Sequence, residues 1–244
     1  MKPFLLLATR AEDAAADAEY RAFLRYGELS DGDLVRHRLE RDQLPALDLD
    51  DYSGVIVGGS PFNSSDPDHL KSPTQHRVES ELSGLMDEIV VHDFPFLGAC
   101  YGVATLGVHC GGVVDTTYGE VVGAVRIDLT AKGSADPLLQ GVPKSFQAFV
   151  GHKEACRVLP ADATLLATSQ RCPVQMFRVG ENVYATQFHP ELDAEGLATR
   201  IAVYDRHGYY PDGTREDIAH AAHRVDVSWA PRVLRNFTEK YRRP

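Results

Sequence analysis

Cysteine, methionine and tryptophan are scarce in this 244-residue chain, at four, three and one. Cys100, Cys110, Cys156 and Cys172 are widely spaced and form no C-x-x-C pair. That excludes a zinc ribbon and a disulfide-stapled scaffold, and it makes a reduced, buried thiol the default for each. Positive charge is also short, with Lys+Arg 25 against Asp+Glu 35 and a net charge of −10. The basic tip Arg242-Arg243 is too small to make a stripe, so a nucleic-acid partner is excluded. The apolar run near the start, Phe4–Ala8, falls far below the roughly 20 residues of a membrane helix. It has no cleavage signature either, so no membrane association and a cytoplasmic location are expected. No repeat, low-complexity tract or P-loop is visible. What remains is an ordinary globular composition, 43% hydrophobic and 25% charged, which excludes wholesale disorder and allows a sizeable core.

The hydrophobic pattern alternates between short strands and helices. Phe4–Ala8 reads as a buried strand, followed by an Ala-rich acidic helix from Ala11. Glu12, Asp13, Asp17 and Glu19 place negative charge in its early turns, where the helix dipole favours it. Leu34–Leu39 reads as a strand, Leu44–Asp51 as an acidic loop, and Val55–Val57 as a strand running into Gly58-Gly59-Ser60-Pro61. Pro73–Val91 has helical apolar spacing, and Phe94–Gly98 is again a strand. From Gly111 onward come closely spaced strand-like runs at Val121–Leu129, Phe146–Val150, Leu165–Thr168, Val174–Val179 and Val183–Phe188. Helices are expected at Ala194–Val203, Glu216–Val225 and Ala230–Tyr241, the last two as a solvated pair that packs on the domain. The expected fold class is α/β: a mostly parallel central sheet flanked by helices, with a small antiparallel β extension. No linker divides the chain, so residues 1–244 read as one domain, with 205–244 a C-terminal helical extension.

Chemistry concentrates where strands end. Gly98-Ala99-Cys100-Tyr101-Gly102 follows a strand and precedes a helix-like segment, the pattern of a nucleophile elbow. Such a turn is tight and strained, so small residues flank the nucleophile. The helix N-terminus behind it favours thiolate and offers backbone N–H groups to an oxyanion. A thiol nucleophile needs a base, and the base needs an orienter. In the extended segment Gln187-Phe188-His189-Pro190-Glu191, positions 189 and 191 point to one side. His152 with Glu154 has the same spacing, so spacing alone leaves both histidines open. Pro190 stiffens the link between His189 and Glu191 and tips the balance slightly.

The elbow and the Gln-Phe-His-Pro-Glu segment together resemble the class I (triad) glutamine amidotransferases. Val57-Gly58-Gly59-Ser60-Pro61 resembles that family's oxyanion strand. Among the family's members, the chain looks most like stand-alone domains of GMP-synthase type. The resemblance implies a flavodoxin-like α/β fold and decides for His189. It implies Cys100 as nucleophile, His189 as general acid/base and Glu191 as its orienter, with the Gly59 and Tyr101 N–H groups forming the oxyanion hole. It also implies a substrate pocket near Gly58, Ala104, Tyr118, Gly119 and Glu120. The substrate would be glutamine or a γ-glutamyl compound, with a synthetase partner taking the ammonia and no metal or cofactor.

Three departures stand out. Ala104 replaces the glutamine that usually follows the elbow, and losing such a polar contact is worth about 1–3 kcal/mol. Ser60 stands where proline is usual. His152-Lys153-Glu154 replaces a His-Gly-Asp segment that tends to face a synthetase. These departures motivate an alternative, a γ-glutamyl peptidase on the same scaffold. Another is a non-catalytic regulatory or binding protein, a subunit that keeps the fold.

Overall fold

The computed structural model describes residues 1–205 and 207–244; Arg206, inside the stretch read as a helical extension, lies outside them. In chain order the elements are β1 (Phe4–Ala8), α1 (Asp13–Tyr26), β2 (Leu34–Arg38), β3 (Gly54–Val57), α2 (Pro73–Val91) and β4 (Phe96–Ala99). There follow α3 (Tyr101–His109), β5 (Val113–Asp115), β6 (Glu120–Leu129), α4 (Ala131–Ala135), β7 (Ser145–His152) and β8 (Ala155–Val158). The chain ends with β9 (Thr164–Thr168), β10 (Met176–Val179), β11 (Val183–Thr186), α5 (Ala194–Val203), α6 (Arg215–Ala222) and α7 (Pro231–Tyr241).

Nine strands form one mixed sheet in the order β2-β1-β3-β4-β11-β10-β9-β6-β7. The pairs β1–β2, β1–β3, β3–β4 and β4–β11 are parallel. The strands beyond β11 pair antiparallel and extend the same sheet. The antiparallel region is therefore continuous with the parallel half through β11. Among the described residues only β5 and β8 form a separate two-stranded ribbon. These two strands and α4 are too short to leave a periodic signal in the sequence.

Period-two alternation sorts the strand side chains onto two faces. Phe4, Leu6, Ile56 and Leu97 join one core with Phe23 of α1 and Phe237 of α7. Leu5, Leu7, Val55, Val57 and Phe96 join the other with Val78 and Leu82 of α2 and Leu106 of α3. Both faces of the parallel half are covered, so its strands read as continuous apolar runs. A third cluster, with Phe149, Leu192, Leu197 and Ile201, closes the end of the sheet where α5 and α6 pack.

The C-terminal helices share the packing unequally. α6 is largely exposed, but Val233, Leu234 and Phe237 of α7 are fully buried. The Phe237 and Phe4 ring centroids lie 5.8 Å apart. Apolar residues one and four apart on α7 form a stripe that caps β1, and the mixed charges occupy its other face.

Strand order reverses between β1 and β3, and open sheets bind ligands beyond the carboxyl ends of their strands at such a point. Arg10, Gly59, Cys100 and His189 follow β1, β3, β4 and β11 at that edge.

Phe237→Ala is expected to cost about 3–5 kcal/mol, as for other fully buried aromatic side chains. The midpoint of chemical denaturation checks it.

Candidate active site

Cys100 sits between β4 and α3 with φ 56° and ψ −82°, a conformation L-residues rarely adopt. Its N–H donates to the Thr186 carbonyl at 2.7 Å, and its own carbonyl accepts from Val103 N–H at 3.0 Å. The neighbouring strand and the first helical turn thus hold the strain in place. The glycines flanking the elbow are unequal. A Cβ on Gly98 would lie 2.6 Å from the Gly102 Cα, whereas one on Gly102 would meet only Val57 at 3.9 Å. Close packing therefore requires glycine before the cysteine and not after it.

His189 follows β11, and its N–H donates to the Phe149 carbonyl at 3.0 Å. Its Nδ1 lies 2.9 Å from Glu191 Oε1, which accepts the ring proton and leaves Nε2 as the basic nitrogen. The rival histidine is engaged at both nitrogens. His152 Nε2 lies 3.1 Å from Glu120 Oε2 and Nδ1 lies 2.9 Å from the Glu154 carbonyl. The Glu154 carboxylate instead accepts the N–H groups of Ser64 and Ser65 at 2.9 and 2.7 Å.

Three residues without a distinctive sequence motif complete the site. Arg10 Nε meets Glu19 Oε1 at 2.9 Å. Arg200 Nη2 bridges Glu19 Oε1 at 3.1 Å and Glu191 Oε1 at 2.6 Å, and its Nη1 lies 2.9 Å from His189 Nδ1. Two arginines and two glutamates thus alternate in a buried chain that ends on the base. Glu19 had the look of a helix-surface charge favoured by the dipole, but it lies in mid-helix and inside this chain.

The glycines after β3 make room for the chain. A Cβ on Gly58 would meet Glu19 Oε2 at 2.6 Å, and one on Gly59 would meet Arg10 Nη2 at 2.5 Å and His189 Cε1 at 2.8 Å. The Gly59 N–H donates to Glu19 Oε1 at 3.2 Å. Tyr101 is buried at the first position of α3.

Two cavities meet at Cys100. One, of about 460 Å³ with open solvent at its mouth included, is bounded by Arg10, His189, Arg200 and apolar residues of α5. The other, of about 340 Å³ on the same basis, is bounded by Ala104, Lys153, Glu154 and Gln187. Of the remaining residues assigned to the substrate pocket, Gly119 packs against the Lys153 carbonyl, where an added Cβ would come within 2.7 Å. Glu120 is buried against His152 and Gln175, and Tyr118 ends the helical turn before Gly119. These three stand behind the His152–Glu154 wall, outside the lining of either cavity. Glu120, His152 and Cys172 are the one group among the described residues spaced to hold a metal ion. The Cys172 thiol donates to the Val174 carbonyl at 3.3 Å, and burial pushes it up to about 12, which disfavours the thiolate a metal takes.

Burial pushes the Cys100 thiol up to about 12, against the downward pull of Arg10 and Arg200. Desolvation thus opposes the thiolate expected from the helix N-terminus, and the thiol needs a base. Burial lowers His189, more than the opposing pull of Glu191, so its ring is neutral at pH 7 and able to take a proton. Burial alone would raise Glu191, but His189 and Arg200 hold its carboxyl well below the usual range. A protonated thiol, a neutral imidazole and an ionised carboxylate form a set suited to acyl transfer.

The fold is an α/β sheet that carries a cysteine, a histidine and a carboxylate together at the ends of its strands. Residues 25–210 match the family model described as glutamine amidotransferase class-I, and the chain belongs to that family. It is 28% identical over 161 residues to the glutamine-hydrolyzing GMP synthase of Limosilactobacillus reuteri, covering 66% of this chain and 28% of that protein. It is 30% identical over 141 residues to a glutamine-hydrolyzing GMP synthase subunit of Methanobrevibacter smithii, covering 57% of this chain and 64% of that protein. The chain therefore spans less than two thirds of either relative. The crystal structure of a glutamine amidotransferase from Thermotoga maritima shares the fold, with a TM-score of 0.77, 21% identity, and coverage of 99% and 98% of the two chains. No helix among the described residues is long and apolar enough to cross a membrane.

Two outcomes follow from the geometry. Gly98→Ala is expected to cost about 1–3 kcal/mol through forced overpacking, while Gly102→Ala is neutral or stabilising by up to about 1 kcal/mol. Thermal or chemical unfolding of the pair distinguishes them. Arg200→Met removes a positive charge beside His189 and lets the ring protonate more readily. The acid limb of the kcat/KM profile for glutamine hydrolysis should therefore move to higher pH, with kcat reduced about tenfold or more. An unmoved limb would assign Arg200 a purely structural role.

Proposed function

We propose that Cys100 attacks the side-chain amide carbon of glutamine while His189 takes the thiol proton. The oxyanion is held by the Gly59 and Tyr101 N–H groups, the first turning away from Glu19. Ammonia leaves with the proton from His189. Water then cleaves the γ-glutamyl thioester, giving glutamate and restoring the thiol. Glu191 keeps the imidazole in the required tautomer. The step calls for no metal or organic cofactor.

One observation carries this reading: a strained cysteine at the end of β4 shares a cavity with a buried histidine whose Nδ1 is held by a carboxylate. A synthetase that takes the ammonia is the partner proposed, in keeping with relatives named as GMP synthase subunits. Four unpaired cysteines suit the reducing cytoplasm proposed for the protein. A second reading, a γ-glutamyl peptidase, is favoured by Ala104 in the lining of the cavity at Cys100, where it offers no polar group to an amino-acid head. The intact set of nucleophile, base and orienter speaks against a non-catalytic binding role.

Release of ammonia and glutamate is measured with glutamine, comparing the native chain with Cys100→Ala and His189→Ala. Each substitution is expected to reduce the rate by about 1,000-fold or more. Full activity in Cys100→Ala would overturn the proposal.

A further inference from the structure

The cavity that holds the base is open to solvent and extends past Cys100 and His189 to apolar residues of β6 and α5. His189 lines the first cavity and not the second, so the leaving nitrogen, which must take its proton from His189, faces the first. Any group carried on that nitrogen projects into this space. The second cavity has Lys153 and Glu154 on its wall, a cation and an anion suited to the carboxylate and ammonium of a glutamyl head. With a glutamyl head on that side, free glutamine would leave the first cavity with nothing but ammonia.

The walls of the first cavity describe what it holds. Val122, Leu192, Leu197 and Ile201 are apolar. Two tyrosines on the same wall turn their hydroxyls into the protein. Tyr204 donates to Glu12 Oε2 at 2.9 Å, and Tyr210 to the Ile201 carbonyl at 2.6 Å. Their rings are left to the cavity. The one cation there with spare capacity is Arg10. Among the described residues Glu19 is its only ion-pair partner, at Nε, and the Tyr204 hydroxyl is its other side-chain partner, which leaves part of the guanidinium for an anion. Arg200, by contrast, is committed to Glu19 and Glu191.

We infer that the first cavity is a leaving-group site for an amino acid with an apolar side chain, its carboxylate met by Arg10, so that the preferred substrate is a γ-glutamyl amide of such an amino acid. The inference rests on the Cys100 thioester reading and fixes its substrate class. Cys100 Sγ bonds to the γ-carbonyl carbon and the C–N bond breaks. The amino group leaves with the proton that His189 took from the thiol. Water hydrolyses the thioester to glutamate and returns the proton to sulfur.

The test compares kcat/KM for glutamine, γ-glutamyl-leucine, γ-glutamyl-lysine and γ-glutamyl-isopentylamine, the last lacking the leucine carboxylate, with Cys100→Ala as control. γ-Glutamyl-leucine is expected to exceed each of the others by about tenfold or more. Val122→Trp, which fills the cavity from the partly exposed strand β6, is expected to reduce the leucine-to-glutamine ratio about tenfold. Cys100-dependent hydrolysis in which glutamine or γ-glutamyl-lysine equals γ-glutamyl-leucine overturns the leaving-group site and leaves the thioester reading intact. Equality of the isopentylamine substrate with γ-glutamyl-leucine overturns the role of Arg10. Absence of Cys100-dependent release from all four substrates overturns both readings.

Discussion

The site depends on the buried carboxylate of Glu19. Its Oε1 gathers Arg10, Arg200 and the Gly59 N–H, and so ties together the ends of β1 and β3, helix α1 and helix α5. Segments 181 positions apart in the chain meet at this one atom. Breaking a buried ion pair by removing one partner costs about 3–5 kcal/mol, because the other charge is stranded. Arginine and glutamate alternate here, so each charge has an opposite neighbour and the chain is neutral as a whole. That balance is what allows the ionised Glu191 to sit beside His189 beneath the sheet's edge.

The state of the Cys100 thiol is set by a contest between two effects. A helix N-terminus is worth about 0.3–1 kcal/mol to an anion. A shift of one pKa unit requires about 1.4 kcal/mol. The dipole behind Cys100 is therefore too weak to offset burial, and the thiol stays protonated at rest. The strained backbone still matters. It aims the thiol out of the strand end toward both cavities, which an ordinary strand-to-helix turn would not do.

The parts legible in the sequence were those encoded within a few adjacent residues. The elbow, the Gly-Gly turn and the His-Pro-Glu segment each lie where the chain leaves a strand, so local spacing reveals them. Most strands and helices were legible too, because buried parallel strands are continuous apolar runs bounded by turns. The charge chain was not. Arg10, Glu19 and Arg200 carry no local pattern, and their meaning arises only when β1, α1 and α5 come together. The ribbon of β5 and β8 is too short to show a period. That α7 packs was legible, but its contact with Phe4 through Phe237 arises only in the folded chain.

Arg200 acts on the base in two opposing ways. By holding Glu191 ionised it secures the partner that orients the imidazole and stabilises its protonated form. By standing 2.9 Å from Nδ1 it also makes that protonated form less favourable. Burial already keeps the ring neutral, and the second influence adds to it. A ring with only the second would be too weak a base to draw a proton from a buried thiol. The geometry combines them at a single guanidinium, so the base is neutral before attack yet has its counter-charge in place when the proton arrives. Helix α5 supplies both that guanidinium and apolar wall beside the nucleophile. The packing of one helix therefore sets the basicity of His189 and the shape of the space its proton must cross into.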